Sequence, residues 1–324
     1  MDRRSLLATG LASLAATAVP FAARAYPDRN IRLVVPFSPG GATDVVGRLW
    51  AERMKPLLGT VVTENRGGAG GLTGAAEVAR AAPDGHTFLF GNTSTQVLIP
   101  AITPNPPYNP LKDFVGIFIV CNSPTCIVVH ESVPARSLAE LIAYAKANPG
   151  KLSYGSAGSG TLTNLAGELF KQLIGVPEIV HIPYKGAAPG VADLASGHIP
   201  MMTPNLGGPL LGFHRSGKVR ILAINATARI KGAPDIPTAI EAGLPSMVAG
   251  NLNGLFAPAG VPQAIVDRIA AATRKVAAEP DFQRILVASG FEPLPDSGPE
   301  LTRAFVAEET ARWTPVMKAA GFKL

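Results

Sequence analysis

The chain has 324 residues, a formal net charge of +6 and 47% hydrophobic residues. This length exceeds what one ordinary hydrophobic core holds together, and it indicates two domains. The lysines and arginines are scattered, with no basic run and no interleaved aromatic residues, so the composition argues against nucleic acid as a partner.

The first 25 residues are predicted to be an export signal. The pair Arg3-Arg4 precedes a weakly apolar segment, which ends in the small-residue pattern Ala23-Arg24-Ala25. This arrangement is typical of a cleaved secretory signal, and cleavage before Tyr26 is expected. The alternative is a transmembrane anchor, which the alanine, threonine and serine content of the segment disfavours. The arginine pair leaves general secretion and twin-arginine export both open.

Short apolar runs then alternate with amphipathic segments. "IRLVVPF", "GTVVTEN" and "HTFLFGN" predict strands, separated by the predicted helices in "DVVGRLWAERMKPLL" and "RGGAGGLTGAAEVARAA". The middle of the chain repeats the order with "CIVVH", "SLAELIAYAKANPG", "KLSYGS", "TNLAGELFKQLIG", "IVHIPY", "PGVADLASGH" and "VRILAIN", and the tail reads as helices. Alternation of this kind predicts an α/β fold in which mainly parallel sheets are flanked by helices.

Two β-α units of similar design predict two lobes. The first lobe is expected to combine residues 26–125 with residues 227–324, and the second lobe to comprise residues 126–226. The chain would therefore cross between the lobes twice.

Three turns rich in glycine and serine each lead into a predicted helix. They cover residues 38–44, 66–71 and 155–161. The start of a helix has unpaired N–H donors and a partial positive charge, so each turn could bind an anion. The alternative is ordinary capping of these helices by the threonine and aspartate side chains of the turns, with no ligand.

Polar residues also follow two predicted strands. Lys185 and Gly186 come after "IVHIPY", and Ser94 and Thr95 come after "HTFLFGN". In a parallel α/β lobe such strand ends point toward the cleft, so these residues are either cleft donors or simple turn residues.

The sequence contains no motif for catalysis, a cofactor or a metal. Neither Ser156 nor Ser159 lies in G-x-S-x-G, and the five histidines lack H-E-x-x-H spacing. The second glycine turn fails the dinucleotide-binding pattern at Thr73, and no P-loop is present. The prediction is therefore a protein that is not an enzyme and has no cofactor and no metal.

Cys121 and Cys126 are the only cysteines, and they are separated by a short stretch that contains Pro124. An even number in an exported protein permits a disulfide. A strained small loop and two reduced, buried thiols are both open.

Taken together, several stretches resemble one family in order along nearly all of residues 26–324. The chain resembles the extracytoplasmic solute-binding receptors of tripartite tricarboxylate transport systems, which are called Bug receptors. The stretches that carry the resemblance are "YPDRNIRLVVPFSPGGATD", "VTENRGGAGG", "AAPDGHTFLFGNTST", "YGSAGSGTLTNLAGELFK", "HIPYKGAAP", "SGKVRILAIN" and "GLFAPAGVP".

The resemblance implies a periplasmic, two-lobed "Venus flytrap" of the type II binding-protein kind. It implies that the lobes grip a small organic carboxylate with loop backbone, hydroxyls and bridging waters, and that a membrane permease receives the ligand. A monomer is expected. Asp44 is expected to cap a helix or anchor a water, because a bare carboxylate would repel the ligand. The residues implied in ligand binding are Ser38, Gly40, Gly41, Thr43, Asp44, Ser94 and Thr95 on one jaw, and Ser156, Ser159, Gly160, Thr161, Thr163, Lys185 and Gly186 on or near the other.

The chain departs from the family pattern in three places, so the identity of the ligand cannot be inherited from relatives. Two alternatives to transport are a sensor subunit that presents its ligand to a signalling partner, and an exported α/β hydrolase, which the missing nucleophile motif disfavours. The departures are Gln96 and Asn164 in place of histidines, Pro200 and Pro204 in place of an acidic pair, and Leu252 and Asn253 in place of an aromatic pair.

Overall fold

A computed structural model describes residues 26–319 of the chain. The predicted export signal, residues 1–25, lies outside the described residues. Within residues 26–319, no helix is both long and apolar enough to cross a membrane.

Strands and helices alternate along most of the chain, as the sequence predicts. The strands are β1 (Ile31–Val35), β2 (Val61–Asn65), β3 (Thr87–Asn92), β4 (Phe114–Pro124), β5 (Cys126–His130), β6 (Ser153–Ser156), β7 (Val180–Pro183), β8 (Met201–Met202), β9 (Val219–Ile224), β10 (Gly250–Pro258) and β11 (Glu292–Pro293). The helices are α1 (Ala42–Leu58), α2 (Leu72–Ala79), α3 (Ile99–Ile102), α4 (Leu138–Ala147), α5 (Leu162–Ile174), α6 (Ala187–Ala195), α7 (Gly208–Arg215), α8 (Gln263–Ala277), α9 (Pro280–Ala288) and α10 (Pro299–Ala319).

The first sheet has the strand order β11-β4-β10-β3-β1-β2. Strand β1 pairs in parallel with β2 and β3, as the predicted β-α-β order requires. Strand β10 pairs antiparallel with both β3 and β4, and β11 pairs antiparallel with β4. The sheet is therefore mixed and not mainly parallel, because β10 returns from the second lobe beside the strand that left for it.

The second sheet has the strand order β7-β6-β8-β5-β9. Strand β6 pairs in parallel with β7 and β8, whereas β5 pairs antiparallel with β8 and β9. This sheet is also mixed. Helices pack on both sheets, so the two sheets form the two lobes of an α/β protein.

Two crossings between the sheets run side by side. Strand β4 ends at Pro124 and β5 begins at Cys126, while the segment after β9 leads back to β10. The Thr125 N–H donates to the Ala249 carbonyl at 2.9 Å, and the Asn225 N–H donates to the Thr125 carbonyl at 2.8 Å. Backbone hydrogen bonds thus hold the outgoing and returning segments together.

The hydrophobic core of the second lobe also includes residues from the first. Val97, Leu98 and Ile102 belong to the same buried cluster as Leu162 and Leu165 of α5. Val97 and Leu98 belong to a π-helical segment, Ser94–Leu98. Only Thr93 separates this segment from the end of β3. Such π-helical turns are rare and often occur at functional sites.

The two cysteines are free thiols that lie in different hydrophobic clusters. Burial raises the pKa of both thiols, so they stay protonated. Of the two alternatives left open by the sequence, the structure shows reduced, buried cysteines.

Candidate ligand site between the lobes

A small cavity lies between the lobes, at the starts of α1 and α5. Its volume is about 20 Å³, which is enough for about one water molecule. Two of the predicted turns, residues 38–44 and 155–161, meet here. The first lobe lines the cavity with Phe37, Gly41, Ala42, Thr43, Asn92 and Ser94, and the second lobe lines it with Ala157, Thr161, Thr163, Ala187 and Asn205.

The start of α1 is open toward this inner cavity. Its N-cap residue is Gly41, which makes no side-chain cap hydrogen bond. The first N–H groups of a helix have no intrahelical acceptor, and the helix dipole places about half a positive charge there. The capping alternative is therefore wrong for α1, and this helix start can accept an anion.

Asp44 holds the turn that precedes α1. Its carboxylate accepts hydrogen bonds from the Gly40 N–H at 2.8 Å, from Arg48 Nε at 3.0 Å and from Asn65 Nδ2 at 2.7 Å. Asp44 is 2% exposed and is not one of the residues that line the cavity. Its charge is thus compensated within the first lobe, and its part in the site is to fix the loop.

Thr43 belongs to a buried hydrogen-bond network that links the lobes. Its hydroxyl donates to Asn253 Oδ1 at 2.8 Å and accepts from Asn92 Nδ2 at 3.0 Å. Asn253 Nδ2 donates to Ser123 Oγ at 2.9 Å, and Asn205 Nδ2 of the second lobe donates to the Ser123 carbonyl at 3.0 Å. The network fixes the Thr43 hydroxyl and ties α1 to the strand that leads into the second lobe.

The start of α5 is capped, unlike that of α1. The Thr161 hydroxyl accepts from the Asn164 N–H at 3.3 Å and donates to the Gly158 carbonyl at 2.6 Å. Thr163 Oγ1 accepts from the Ala157 N–H at 2.9 Å. The capping alternative therefore holds for α5, whose threonine hydroxyls shape the turn as well as line the cavity.

A second direct hydrogen bond between the lobes lies at the cavity wall. The Leu162 N–H, in the first turn of α5, donates to Ser94 Oγ at 3.0 Å, and both atoms are buried. Ser94 reaches α5 because the π-helical segment carries it out of the first sheet at the end of β3.

Ser156 lies behind the turn and is fully buried. Its hydroxyl donates to the Gly158 carbonyl at 3.2 Å and lies 2.7 Å from His181 Nε2. The imidazole stacks on Tyr154 with the ring centroids 4.9 Å apart, and burial lowers the pKa of His181. This serine and histidine face each other inside the second lobe, so Ser156 supports the turn and does not reach the cavity.

A larger outer pocket of about 220 Å³ adjoins the inner cavity. Phe37 and Ala157 line both spaces, so they lie between them. The second glycine turn, which carries no predicted site residue, forms one wall of the outer pocket. The remaining lining residues are Gly68, Ala69, Gly70, Gly71, Gly158, Ser159, Pro183, Tyr184 and Lys185.

Glycines allow the lobes to touch beside these spaces. Gly186 has φ 130°, and a Cβ atom there would lie 2.2 Å from Ser38 Oγ of the opposite lobe. A Cβ on Gly158 would lie 3.4 Å from the Gly70 Cα. A side chain at Gly186 would hold the lobes apart, whereas a Cβ at Gly158 would only touch Gly70.

The predicted site residues fall into groups when placed on the structure. The inner cavity brings together Gly41, Thr43, Ser94, Thr161 and Thr163. Ser159 and Lys185 line the outer pocket, and Ser38 and Gly186 meet at the contact between the lobes. Gly40, Asp44, Thr95, Ser156 and Gly160 make hydrogen bonds within their own turns or to neighbouring residues.

Six residues that line the inner cavity were not among the predicted site residues, namely Phe37, Ala42, Asn92, Ala157, Ala187 and Asn205. Asn92 ends β3 and could have been found by the same strand-end argument as Ser94. Asn205 stands outside the named strands and helices, and no pattern marks it.

None of the six departures from the family pattern lines either of these two spaces. Asn253 acts through Thr43, and Asn164 Oδ1 accepts from the Gly160 N–H at 3.0 Å. Asn253 and Asn164 thus reach the site through Thr43 and Thr161, which line it.

A cleft between two α/β lobes, closed by the starts of two helices, defines the chain as a solute-binding protein of the periplasmic binding-protein fold. Residues 46–322 match the model of the tripartite tricarboxylate transporter family receptors, and the chain belongs to this family. The resemblance and the two-lobed fold predicted from the sequence are thereby confirmed.

Relatives and solved structures agree with this assignment. Protein BugT of Bordetella pertussis is 35% identical over 313 residues, which are 96% of this chain and 95% of the relative. The structure of the periplasmic binding protein BugD is 36% identical with a TM-score of 0.87, covering 92% of this chain and 99% of that one.

Two similar structures contain a ligand. MatC from Rhodopseudomonas palustris with bound malate is 33% identical with a TM-score of 0.84, covering 90% of this chain and 99% of that one. Rpa4515 from R. palustris with adipate is 34% identical with a TM-score of 0.86, covering 92% and 99%. The family and the fold are those of solute-binding receptors and not of enzymes.

Proposed function

We propose that the chain is a periplasmic receptor that captures a small organic carboxylate between its lobes and delivers it, as a monomer, to a membrane permease of the tripartite tricarboxylate type. The observation that carries this proposal is the meeting of the α1 and α5 starts, from opposite lobes, at one cavity. The family assignment and the carboxylates bound by two structural neighbours, malate and adipate, support it.

The carboxylate group binds in the inner cavity between the two helix starts. The uncapped start of α1 contributes about half a positive charge, and each charge-assisted hydrogen bond from its N–H groups contributes about 1.5–3 kcal/mol. The hydroxyl of Thr163 and the amide of Asn92 complete the polar wall. No chemical step is needed, because the site only has to hold the anion.

Binding requires the lobes to separate and close again. The inner cavity of about 20 Å³ has room for a water-sized group but not for a whole organic carboxylate, so the ligand enters an open form and the lobes then close with its carboxylate group in this cavity. The lobes that move are residues 26–125 with 227–324, and residues 126–226. The paired crossings at Thr125 and Asn225 serve as the hinge.

In the proposed site, each predicted residue has one of two roles. The lining residues contact the ligand or its waters, and the turn residues fix their geometry. The first group comprises Gly41, Thr43, Ser94, Ser159, Thr161, Thr163 and Lys185, and the second comprises Ser38, Gly40, Asp44, Thr95, Ser156, Gly160 and Gly186.

A thermal-shift screen tests the ligand class. The protein starting at Tyr26 is unfolded and refolded to remove any bound ligand, and is then heated with carboxylates, phosphates and neutral amides. A ligand at about 100 times its dissociation constant adds roughly 2.7 kcal/mol to the free energy of unfolding. Stabilisation confined to carboxylates is expected. Stabilisation by phosphates or amides alone would contradict the proposal.

A second experiment tests delivery. The ligand-loaded receptor is used to capture membrane proteins from solubilised cells of the source organism. Recovery of a tripartite tricarboxylate permease is expected, whereas recovery of a histidine kinase without a permease would favour the sensor alternative.

A further inference from the structure

The side chains around the inner cavity have fixed hydrogen-bond directions, and Asn253 sets the first of them. Its Nδ2 donates to Ser123 Oγ at 2.9 Å and to the Asn251 carbonyl at 3.1 Å. A carbonyl oxygen can only accept, so the amide nitrogen must face it and Oδ1 must face Thr43.

Thr43 therefore presents a lone pair to the cavity and not a hydrogen. Its hydroxyl hydrogen points to Asn253 Oδ1 at 2.8 Å, and one lone pair accepts from Asn92 Nδ2 at 3.0 Å. Asn92 cannot be turned round, because its Oδ1 accepts from the Thr95 N–H at 3.3 Å. These contacts leave one lone pair, so Thr43 can accept a further hydrogen bond but cannot donate one.

Thr163 is in the same state on the second lobe. The Thr161 hydroxyl donates to the Gly158 carbonyl at 2.6 Å, so the hydrogen in its 2.8 Å contact with Thr163 comes from Thr163. Thr163 Oγ1 also accepts from the Ala157 N–H at 2.9 Å. Its hydrogen and one lone pair are thus engaged, and one lone pair remains.

Asn205 supplies a third acceptor. Its Nδ2 donates to the Ser123 carbonyl at 3.0 Å and lies 3.4 Å from Ser123 Oγ. The carbonyl fixes the orientation of this amide, so that Oδ1 is directed away from Ser123. Thr43, Thr163 and Asn205 all line the inner cavity.

These acceptors need a hydrogen-bond donor when the lobes are closed. Thr43 and Thr163 are buried, so bulk water does not reach them. A carboxylate at the α1 start has only acceptor oxygens, which the lone pairs of the threonines repel. A buried acceptor that is left without a donor weakens the closed complex.

The geometry points to a ligand with a hydrogen-bond donor, a hydroxyl or an ammonium group, on the carbon beside its carboxylate. The carboxylate binds the N–H groups of the α1 start, and the donor binds the acceptors formed by Thr43, Thr163 and Asn205. The donor has to lie next to the carboxylate because the acceptors and the α1 start line the same water-sized cavity. This inference rests on the proposed function and narrows its ligand class.

Asn253 is a positioning residue in this account. It lines neither space, and it acts by turning the hydroxyl hydrogen of Thr43 away from the cavity. Asn253 is one of the departures from the family pattern, so this way of reading a donor belongs to the chain's own sequence.

Matched ligand series test the inference by titration calorimetry on the refolded protein. They are propanoate, lactate, alanine and pyruvate; 3-phenylpropanoate, 3-phenyllactate, phenylalanine and phenylpyruvate; and glutarate, 2-hydroxyglutarate, glutamate and 2-oxoglutarate, with both enantiomers where they exist. The hydroxy and amino members carry a donor beside the carboxylate, the unsubstituted member carries none, and the oxo member carries an acceptor. In the series that binds most tightly, the better of the hydroxy and amino members is expected to bind at least about tenfold more tightly than the unsubstituted and oxo members.

Two variants test the residues. Thr43→Val removes an acceptor and should lower this preference about tenfold, whereas Thr302→Val, a control at a buried threonine whose hydroxyl donates to the Gly298 carbonyl at 2.8 Å, should keep it. Asn253→Leu frees the hydroxyl hydrogen of Thr43 to enter the cavity, so the oxo member should gain relative to the donor-bearing member. Loss of packing alone would weaken both members by the same factor.

The outcomes distinguish this inference from the function on which it rests. Equal binding within the tightest series, or binding only by carboxylates without an adjacent donor, overturns the inference and leaves the carboxylate receptor intact. So does a preference that persists unchanged in folded Thr43→Val and Asn253→Leu. Absence of binding by every carboxylate of the thermal-shift panel and of the series overturns both. A preference for the donor-bearing member in the wild type supports the inference, and the wild-type series decides if either variant fails to fold.

Discussion

The hydrogen bond from the Leu162 N–H to Ser94 Oγ joins the segment after β3 of the first sheet to α5 of the second lobe. Under the proposed closure, we expect this bond to form only when the lobes are closed. In the Ser94→Ala variant, the closed form buries the Leu162 N–H without an acceptor. In the open form, water takes the place of the serine hydroxyl. The substitution therefore penalises closure specifically.

The expected size follows from the cost of an unpaired buried donor, which is about 1–3 kcal/mol. Taking about 1.4 kcal/mol, the affinity for the ligand falls roughly tenfold. The loss should appear mainly as faster dissociation, because the contact forms after the ligand has entered.

Calorimetry gives the dissociation constant, and stopped-flow displacement gives the dissociation rate. Ser137→Ala is the matched control, because Ser137 also accepts a backbone N–H at a helix start, from Glu140 at 3.2 Å, but within the second lobe. The control is expected to lose about 1 kcal/mol of stability and to keep the wild-type affinity. A Ser94→Ala variant with wild-type affinity and dissociation rate would refute the closed-state role of this hydrogen bond.

Three further predictions concern packing, thiols and pH. Gly167→Ala should lower the melting temperature, because its Cβ would lie 2.0 Å from a ring atom of Tyr154 and overpacking costs about 1–3 kcal/mol; Gly212→Ala, with no atom within 4 Å, should keep or raise it, and the opposite order would contradict this account. The two buried thiols should resist a thiol reagent until the protein is unfolded, since burial raises their pKa values; rapid labelling of the native protein would disagree. Burial lowers the pKa of His181, so the unfolded chain binds the proton more readily than the folded protein. The melting temperature should therefore fall as the pH drops below about 6.5. His181→Asn should reduce this dependence of the melting temperature on pH, and an equal dependence in the variant and the wild type would exclude the effect.

The local order of strands and helices could be predicted because each β-α unit carries its own apolar pattern. The pairing of β10 could not. Its partners β3 and β4 lie more than a hundred residues earlier in the chain, and pairing at that separation leaves no local periodicity. The mixed character of both sheets follows from such returning strands.

Parts of the candidate site could be predicted where the relevant residues are neighbours in the sequence. The turn before α1 is recognisable because glycines and an apolar strand precede a helix, although the N-cap is Gly41 and not a threonine. Ser156 illustrates the limit, because the histidine that faces it lies 25 residues further along the chain. Sequence alone also gives no reason to bring Asn205 beside the α1 start.

The position of β10 has a consequence for how the protein assembles during synthesis. This strand fills the gap between β3 and β4, yet it is made only after the whole second lobe. Until then, β3 and β4 each have an edge that can pair with another chain. Fragments that end before residue 250 are therefore prone to aggregate, and the high contact order makes folding of the complete chain slow. The first lobe contains the start of the described chain, but its sheet is among the last parts of the protein to be completed.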